Sequence, residues 1–416
     1  MPLQDLPCLS LQGSMSSQPK NINKRKSRDC LSGGLDTECT PTELIQQCSP
    51  RHKHQRLINK GKENHNCHFV LARRSRRKKE STSADLSWDH LPDELLLRIF
   101  FYFPLQDLLR VATVCKRWYR LVFDESLWHS VDLSGLTRMG VALPQVLKTG
   151  VRMLRCPRSF VEELHCTGLG TLQVVQMDLS SSIIPTSALE SIISHCGLLE
   201  HLSLEGLQLS DTIINSLAEN SNLVQLNLSG CSGFSARALA VMLKSCSSIE
   251  QLNISWCEFN NDHVKSVVNN LSSSVTHLNL SGYRESLMLD DVKVLVARCP
   301  HIQTLDISDS TLVMADSLPV LAQLKSLQHL SLSRCYHIHL AALSDLSKTI
   351  PTLCLLDAFG LVHDNHLNSL KKEMPHVCIN SRPFSSVARP TPTSRLVGSM
   401  SDHTMWSRKC RLRFKL

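Results

Sequence analysis

The spacing L-x-x-L-x-L-S recurs along most of this chain, and no other feature limits its possible folds so strongly. Full copies occupy residues 199–204, 223–228, 249–254, 275–280, 302–307 and 327–332, and weaker copies centre on Val131, Leu154, Met177, Leu356 and Val377. The second apolar residue of each copy follows that of the copy before by 21 to 27 residues. In L-x-L the two apolar side chains point to one side of an extended strand and the residue between them to the other. Segments 212–220, 236–245, 262–270 and 291–298 carry apolar residues at helical spacing. A strand and a returning helix every two dozen residues predict a parallel sheet covered on its outer face by helices. One such unit cannot enclose a core, because each leucine-sized side chain contributes its ~1.5–3 kcal/mol only when a neighbour covers it. The units must stack.

A period in this range with this motif is the signature of leucine-rich repeats. The expected fold class is α/β, a curved solenoid of about ten repeats over residues 128–380. Its phase accounts for many of the 17 cysteines. Cys196, Cys246 and Cys299 each precede the first apolar residue of a copy by three, while Cys231, Cys257 and Cys335 follow the third by three. They read as small core residues of a reducing compartment, not as catalytic thiols. The odd count and the lack of any C-x-x-C pair argue against a disulfide framework or a zinc site. His52, His54, His65, Cys67 and His68 cluster, but at no spacing of a zinc motif. No metal and no cofactor are expected.

The strand positions facing away from the core carry Gln225, Asn227 and Ser229, Gln251, Asn253 and Ser255, His277, Asn279 and Ser281, with similar residues in later repeats. Small polar side chains there predict an open, wettable concave face. At the strand exits stand Trp256, Tyr283, Arg284, Asp309, Arg334 and Tyr336. Arginines, an acid and aromatics on adjacent repeats are the residue types enriched at protein-binding hot spots, the alternative being ordinary loop residues.

Residues 87–133 differ in kind. Pro92 with Asp93 and Glu94 marks a helix start, Pro104 ends that helix, and a second and third follow with Leu108, Val111, Cys115 and Trp118 at steps of three or four. About 45 residues make a marginal core, so the module needs a neighbour. Its surplus apolar surface reads either as a docking face or as a cap on the array. The blocks Leu91-Pro92-Asp93-Glu94-Leu95, Pro104 to Leu109, Val114-Cys115-Lys116-Arg117-Trp118 and Ser126-Leu127-Trp128 resemble an F-box over its whole length. The cysteine-containing repeat behind it resembles that of F-box/leucine-rich-repeat proteins. That resemblance implies three helices docked on a Skp adaptor, through it cullin and RING subunits, and a contact set of Leu91, Pro92, Leu95, Leu96, Ile99, Leu109, Val114 and Trp118.

Charge divides the chain. Residues 1–85 carry 16 Lys and Arg against 8 Asp and Glu, residues 86–380 carry 21 against 28, and residues 381–416 carry 8 against 1. Two basic arms thus flank an acidic body. The first arm, residues 1–86, has Phe69 as its sole aromatic residue and no sustained period, which predicts disorder. Its cluster of Arg73, Arg74, Arg76, Arg77, Lys78 and Lys79 reads as an import signal, a nucleic-acid contact or a solvated charge run. Lys62-Glu63-Asn64 and Arg28-Asp29-Cys30-Leu31 resemble the KEN box and minimal destruction box read by the anaphase-promoting complex. In the second arm, strict alternation over residues 409–416 predicts an extended segment, and its charge predicts that the tail folds back over the concave face. No apolar run reaches the roughly 18 residues of a membrane span, and the N-terminal segment lacks the pattern of a secretory leader. A nuclear and cytoplasmic location is expected.

The expected function is that of a non-catalytic substrate receptor of an SCF-type ubiquitin ligase, acting on cell-cycle regulators at G1/S. By the same resemblance the partners are a Cks-type kinase subunit at Trp256, Arg284, Asp309 and Arg334, phosphorylated cyclin-dependent-kinase inhibitors, and cyclin-kinase complexes. Arg382-Pro383 stands where the family carries a histidine that contacts the Cks-type subunit. The alternatives are a repeat scaffold that sequesters a partner without ubiquitin transfer, and a basic-arm nucleic-acid binder.

Overall fold

The computed structural model describes residues 88–140, 142–161, 170–390 and 410–414. The basic arm, with its import-like and degradation-like motifs, and residues 391–409 lie outside the described residues.

Three helices open the described chain: α1 (Asp93–Phe100), α2 (Leu105–Val111) and α3 (Lys116–Val122). Pro92 and Pro104 precede the first two, where their lack of an N–H removes no helical hydrogen bond. Cys115 caps the third, its sulfur accepting from the Trp118 N–H at 3.4 Å. Arg117 binds the entry of α1 through Leu91 O, Asp89 O (3.1 Å) and Asp93 Oδ1 (2.8 Å). Leu96, Phe100, Leu105, Leu108 and Leu109 are fully buried in a core continuous with that of the repeats. Trp128 sits at the join, donating its indole N–H to Val122 O at 2.6 Å. The neighbour that the small module requires is the array itself.

Among the described residues the repeats supply eleven parallel strands: β1 (Ser130–Asp132), β2 (Met153–Arg155), β3 (Gln176–Asp178), β4 (His201–Ser203), β5 (Gln225–Asn227), β6 (Gln251–Asn253), β7 (His277–Asn279), β8 (Thr304–Asp306), β9 (His329–Ser331), β10 (Leu355–Asp357) and β11 (Cys378–Ile379). They lie side by side in chain order, and β12 (Leu412–Arg413) adds to the outer edge of β1. Partners in register run Val131, Leu154, Met177, Leu202, Leu226, Leu252, Leu278, Leu305, Leu330 and Leu356, the middle residues of ten copies. The last copy centres on Ile379 and not on Val377, since Ile379 pairs with Leu356. The return helices at 211–217, 236–245 and 261–270 begin where a polar side chain captures a free N–H: Ser210 that of Ile213, Ser235 that of Ala238, Asn260 that of His263. Among the described residues no helix is long and apolar enough to cross a membrane.

Cysteine sulfurs tie repeat to repeat. Cys231 donates to Leu204 O and Cys257 to Leu228 O, each at 3.0 Å, and Cys335 to Ile307 O at 3.4 Å. Burial pushes the Cys257 and Cys335 thiols up to about 11, which keeps them protonated and unreactive.

His201 on β4 has a buried Nδ1 without a hydrogen-bond partner among the described residues, and burial draws the imidazole down to about 4. An unfolded histidine titrates near 6.5, so between these values the unfolded chain holds the additional proton. Stability should therefore fall as pH drops from about 6.5 toward 4, and His201→Gln should flatten the slope. Thermal unfolding of the two proteins across this range checks it; identical slopes would refute the assignment.

Candidate protein-docking surfaces

The geometry that positions candidate contact residues in the array starts from two residues per repeat. The residue after the middle apolar one is Asn or Asp in eight of the described repeats, and in six of them its Oδ1 accepts the N–H two residues on, as Asn227 does from Ser229 at 3.0 Å, Asn253 from Ser255 at 3.2 Å, Asn279 from Ser281 at 2.9 Å and Asp306 from Ser308 at 3.0 Å. With or without this turn, the residue four past the middle apolar one lies in the left-handed region in every repeat from Val131 to Leu356. Gly135, Gly206, Gly230, Gly282 and Gly360 occupy that place at φ +97, +76, +69, +98 and +67. Arg158, Ser181, Trp256, Asp309 and Arg334 occupy it without being glycine, at φ 57, 55, 56, 59 and 59. The conformation is enforced because each of these N–H groups donates to the next repeat, Trp256 to Ser281 O at 2.9 Å, Asp309 to Ser333 O at 2.8 Å and Arg334 to Phe359 O at 2.9 Å. A non-glycine residue there costs about 1–2 kcal/mol. Three such residues on neighbouring repeats carry large or charged side chains, the arrangement expected where stability is given up for binding.

Those side chains form one platform. The Trp256 indole, 49% exposed, lies across Gly282, where an added Cβ would come within 2.8 Å of the ring. Arg334 lies against Gly360 in the same way, with 3.1 Å between such a Cβ and Arg334 Cγ. Asp309 is buried and holds Arg334 in a two-point contact, Nε to Oδ1 at 2.7 Å and Nη2 to Oδ2. That contact keeps the guanidinium pKa above the usual arginine value. Trp256, Arg284, Asp309, Thr311, Arg334 and Tyr336 together line a cleft of about 430 Å³. Thr311, which sequence reasoning missed, donates its hydroxyl to Arg284 O at 2.6 Å and so anchors the loop that carries Arg284.

Tyr283 does not belong to this rim. It is 4% exposed, stacks on Phe259 at 5.3 Å and donates its hydroxyl to Ile254 O. It fills the repeat position held by Cys231, Cys257 and Cys335 elsewhere, which is a core position.

Gly282→Ala should force the indole aside and place a Cβ at φ +98, destabilising the array by about 1–3 kcal/mol. Thermal unfolding and the Trp256 indole N–H resonance report the two effects. An unmoved resonance would show that the glycine does not set the ring.

The concave face is not open. Residues 381–390 cross it: Arg382 N–H donates to Asp357 Oδ1 at 3.1 Å, Val387 O accepts from Asn253 Nδ2 at 3.1 Å, Ala388 N–H donates to Gln251 Oε1 at 3.3 Å, and Arg389 pairs with Glu205 at 3.2 Å. A cavity of about 310 Å³ lies there, lined among others by Asp306, His329 and Asp357 of the strands and by Arg382, Phe384 and Arg389 of the tail. His329 Nε2 lies 2.7 Å from Asp357 Oδ2. Among the small polar strand residues Gln251 and Asn253 bind the tail, while the buried Asn227 and Asn279 hold their own repeats' turns.

On the helical module the expected contact residues separate into two sets. Leu95 is 43% and Val114 61% exposed, Pro92 is exposed, and Leu91, Ile99 and Trp118 are half-buried. Leu96 and Leu109 are fully buried against the array, so they are core residues and not contacts. Trp88, Phe101 and Tyr102 extend the exposed apolar surface, with Tyr102 at 84%, and were not singled out by the sequence pattern. Trp118 packs edge-on to Trp88 and Phe100, with centroids at 5.9 and 5.3 Å.

A helical module with an exposed apolar face, fused to a parallel repeat array whose strand exits bear a strained aromatic and charged cleft, defines a repeat protein with two candidate docking surfaces. The chain belongs to the F-box/leucine-rich-repeat family. Residues 88–134 match the family described as F-box-like, and residues 141–413 match the SKP2 LRR domain, the repeat region of S-phase kinase-associated protein 2. Human F-box/LRR-repeat protein 12 is 33% identical over 141 residues, which cover 34% of this chain and 39% of that protein. Bovine F-box/LRR-repeat protein 21 is 33% identical over 88 residues, 21% of this chain and 17% of that one. The matched stretches thus span well under half the length of these relatives. Among solved structures, an internalin from Listeria monocytogenes aligns with a TM-score of 0.34 and 17% identity, over 56% of this chain and 59% of its own. Proteins of the F-box/LRR family are generally substrate receptors of SCF ligases and typically non-catalytic adaptors.

Proposed function

We propose that this chain is the substrate-recognition subunit of an SCF-type ubiquitin ligase. Its F-box holds a Skp1-type adaptor, and through it cullin and RING subunits. Its strand-exit rim holds a Cks-type kinase subunit together with a phosphorylated cell-cycle regulator, a cyclin-dependent-kinase inhibitor in the first instance. The observation that carries this reading is the set of left-handed, non-glycine residues Trp256, Asp309 and Arg334 gathered at one cleft. Arg284 stands at the same cleft and supplies a cation for an acidic or phosphorylated ligand. The chain's part in ubiquitin transfer is proximity and orientation, which make an encounter between bound partners nearly intramolecular. Action at G1/S in the nucleus and cytoplasm follows from the same reading.

Reconstitution with purified adaptor, cullin and RING subunits tests it. Ubiquitin transfer to a phosphorylated inhibitor peptide should require this chain and the Cks-type subunit, and should fall to background after phosphatase treatment. Transfer that is equal without the chain would refute the proposal.

A further inference from the structure

The segment after residue 409 returns to the opposite end of the sheet from the one where the array finishes. β12 pairs in parallel with β1, Leu412 opposite Val131 and Arg413 opposite Asp132, and Phe414 N–H donates to Asp132 O at 2.9 Å. Cys410 and Leu412 are buried there. Arg411 lies between them and reaches out of the sheet into the helical module. Its guanidinium donates to Phe101 O at 3.1 Å, Leu127 O at 2.6 Å and Phe100 O at 3.2 Å, and its carbon centre lies 3.9 Å from the centroid of the Phe101 ring. Its main-chain N–H donates to Ser130 Oγ at 3.0 Å. One residue thus binds three places: its side chain holds the carboxyl end of α1 and the turn that closes the module, and its main chain holds the first strand of the array. A cation at the last carbonyls of a helix interacts favourably with its dipole, and the planar guanidinium reaches several carbonyls at once while stacking on a ring.

We infer that β12 is a clasp for the adaptor-docking face, with Arg411 as a positioning residue that fixes the turn 101–104 and with it the angle between α1 and α2. This rests on the adaptor reading given above. Leu95 on α1, Tyr102 in the turn and Val114 just past α2 are the exposed apolar side chains whose spacing depends on that angle. The docking face therefore takes part of its shape from a residue about 310 positions away in the chain.

The test uses the full chain and a purified Skp1-type adaptor, with affinity read by calorimetry and amide exchange read across the whole molecule. Arg411→Ala should weaken adaptor binding about tenfold, an effect of the size expected for charge-assisted hydrogen bonds, and should raise exchange at residues 101–103 while leaving β6 to β8 unchanged. Arg411→Lys should resemble Arg411→Ala, because one ammonium cannot span the carbonyls and stack on the ring. Wild-type affinity in Arg411→Ala would overturn the clasp. So would an affinity loss with exchange rising equally throughout the array, since the residue would then be a general stabiliser. A wild-type chain that does not bind the adaptor overturns the docking reading itself and leaves the clasp without a purpose.

Discussion

Leu95→Asp should reduce adaptor affinity by at least about 100-fold while the protein stays folded, whereas Leu96→Asp, one position on, should unfold the helical module. The two leucines share a helix and a chemistry but differ in surroundings. Leu95 is 43% exposed, so a carboxylate there remains hydrated in the free protein and costs stability little until a partner covers it. On docking it must give up its water, which an apolar leucine does not. Leu96 is fully buried in the common core, where an unpaired charge is not tolerated. Calorimetry with the adaptor and thermal unfolding of each variant separate the two. Leu95→Asp binding at wild-type strength would exclude this face as the docking surface.

Trp256→Gly should weaken binding of the Cks-type subunit by at least about 30-fold, with the stability of the array held to within about 1 kcal/mol. Removing a large half-exposed aromatic side chain ordinarily affects both quantities in the same direction. Here the residue sits at φ 56, where glycine is the relaxed occupant, and relief of that strain offsets the lost contact with Gly282. Five other repeats already place glycine at this position. A stability loss of several kcal/mol would mean that the indole is a structural prop. Unchanged binding would remove it from the interface.

Most of the architecture is written in the period of the leucines, because a two-sided strand with one buried face leaves a single register in ten copies. The eleventh shows where that reasoning stops. Val377 and Ile379 are both apolar and two residues apart, so either can lie over Leu356 with the same face inward. Only the length of the preceding turn decides between them. The rim was legible in part: Trp256, Arg284, Asp309, Arg334 and Tyr336 converge on the cleft. Tyr283 was misplaced by its chemistry, although its phase, shared with Cys257 and Cys335, marks it as interior. A stronger signal was also present: the glycines at 206, 230, 282 and 360 identify the left-handed place in each repeat, and the large residues that displace glycine from it become conspicuous. On the helical module, Leu96 and Leu109 could not be told from Leu95 and Val114, because helices apolar on several sides do not declare which side meets the array. The contact of Arg411 with Phe100, Phe101 and Leu127 left no local trace, since nothing near either end of such a pairing encodes the other.

With the tail lying in its hollow, the receptor proposed above would grip by the lip and not by the bowl. A lip sets no ceiling on the bulk of the passenger. A guest need offer only a short strip that fits between adjacent turns, and the remainder can stand clear of the array, whatever its size or shape.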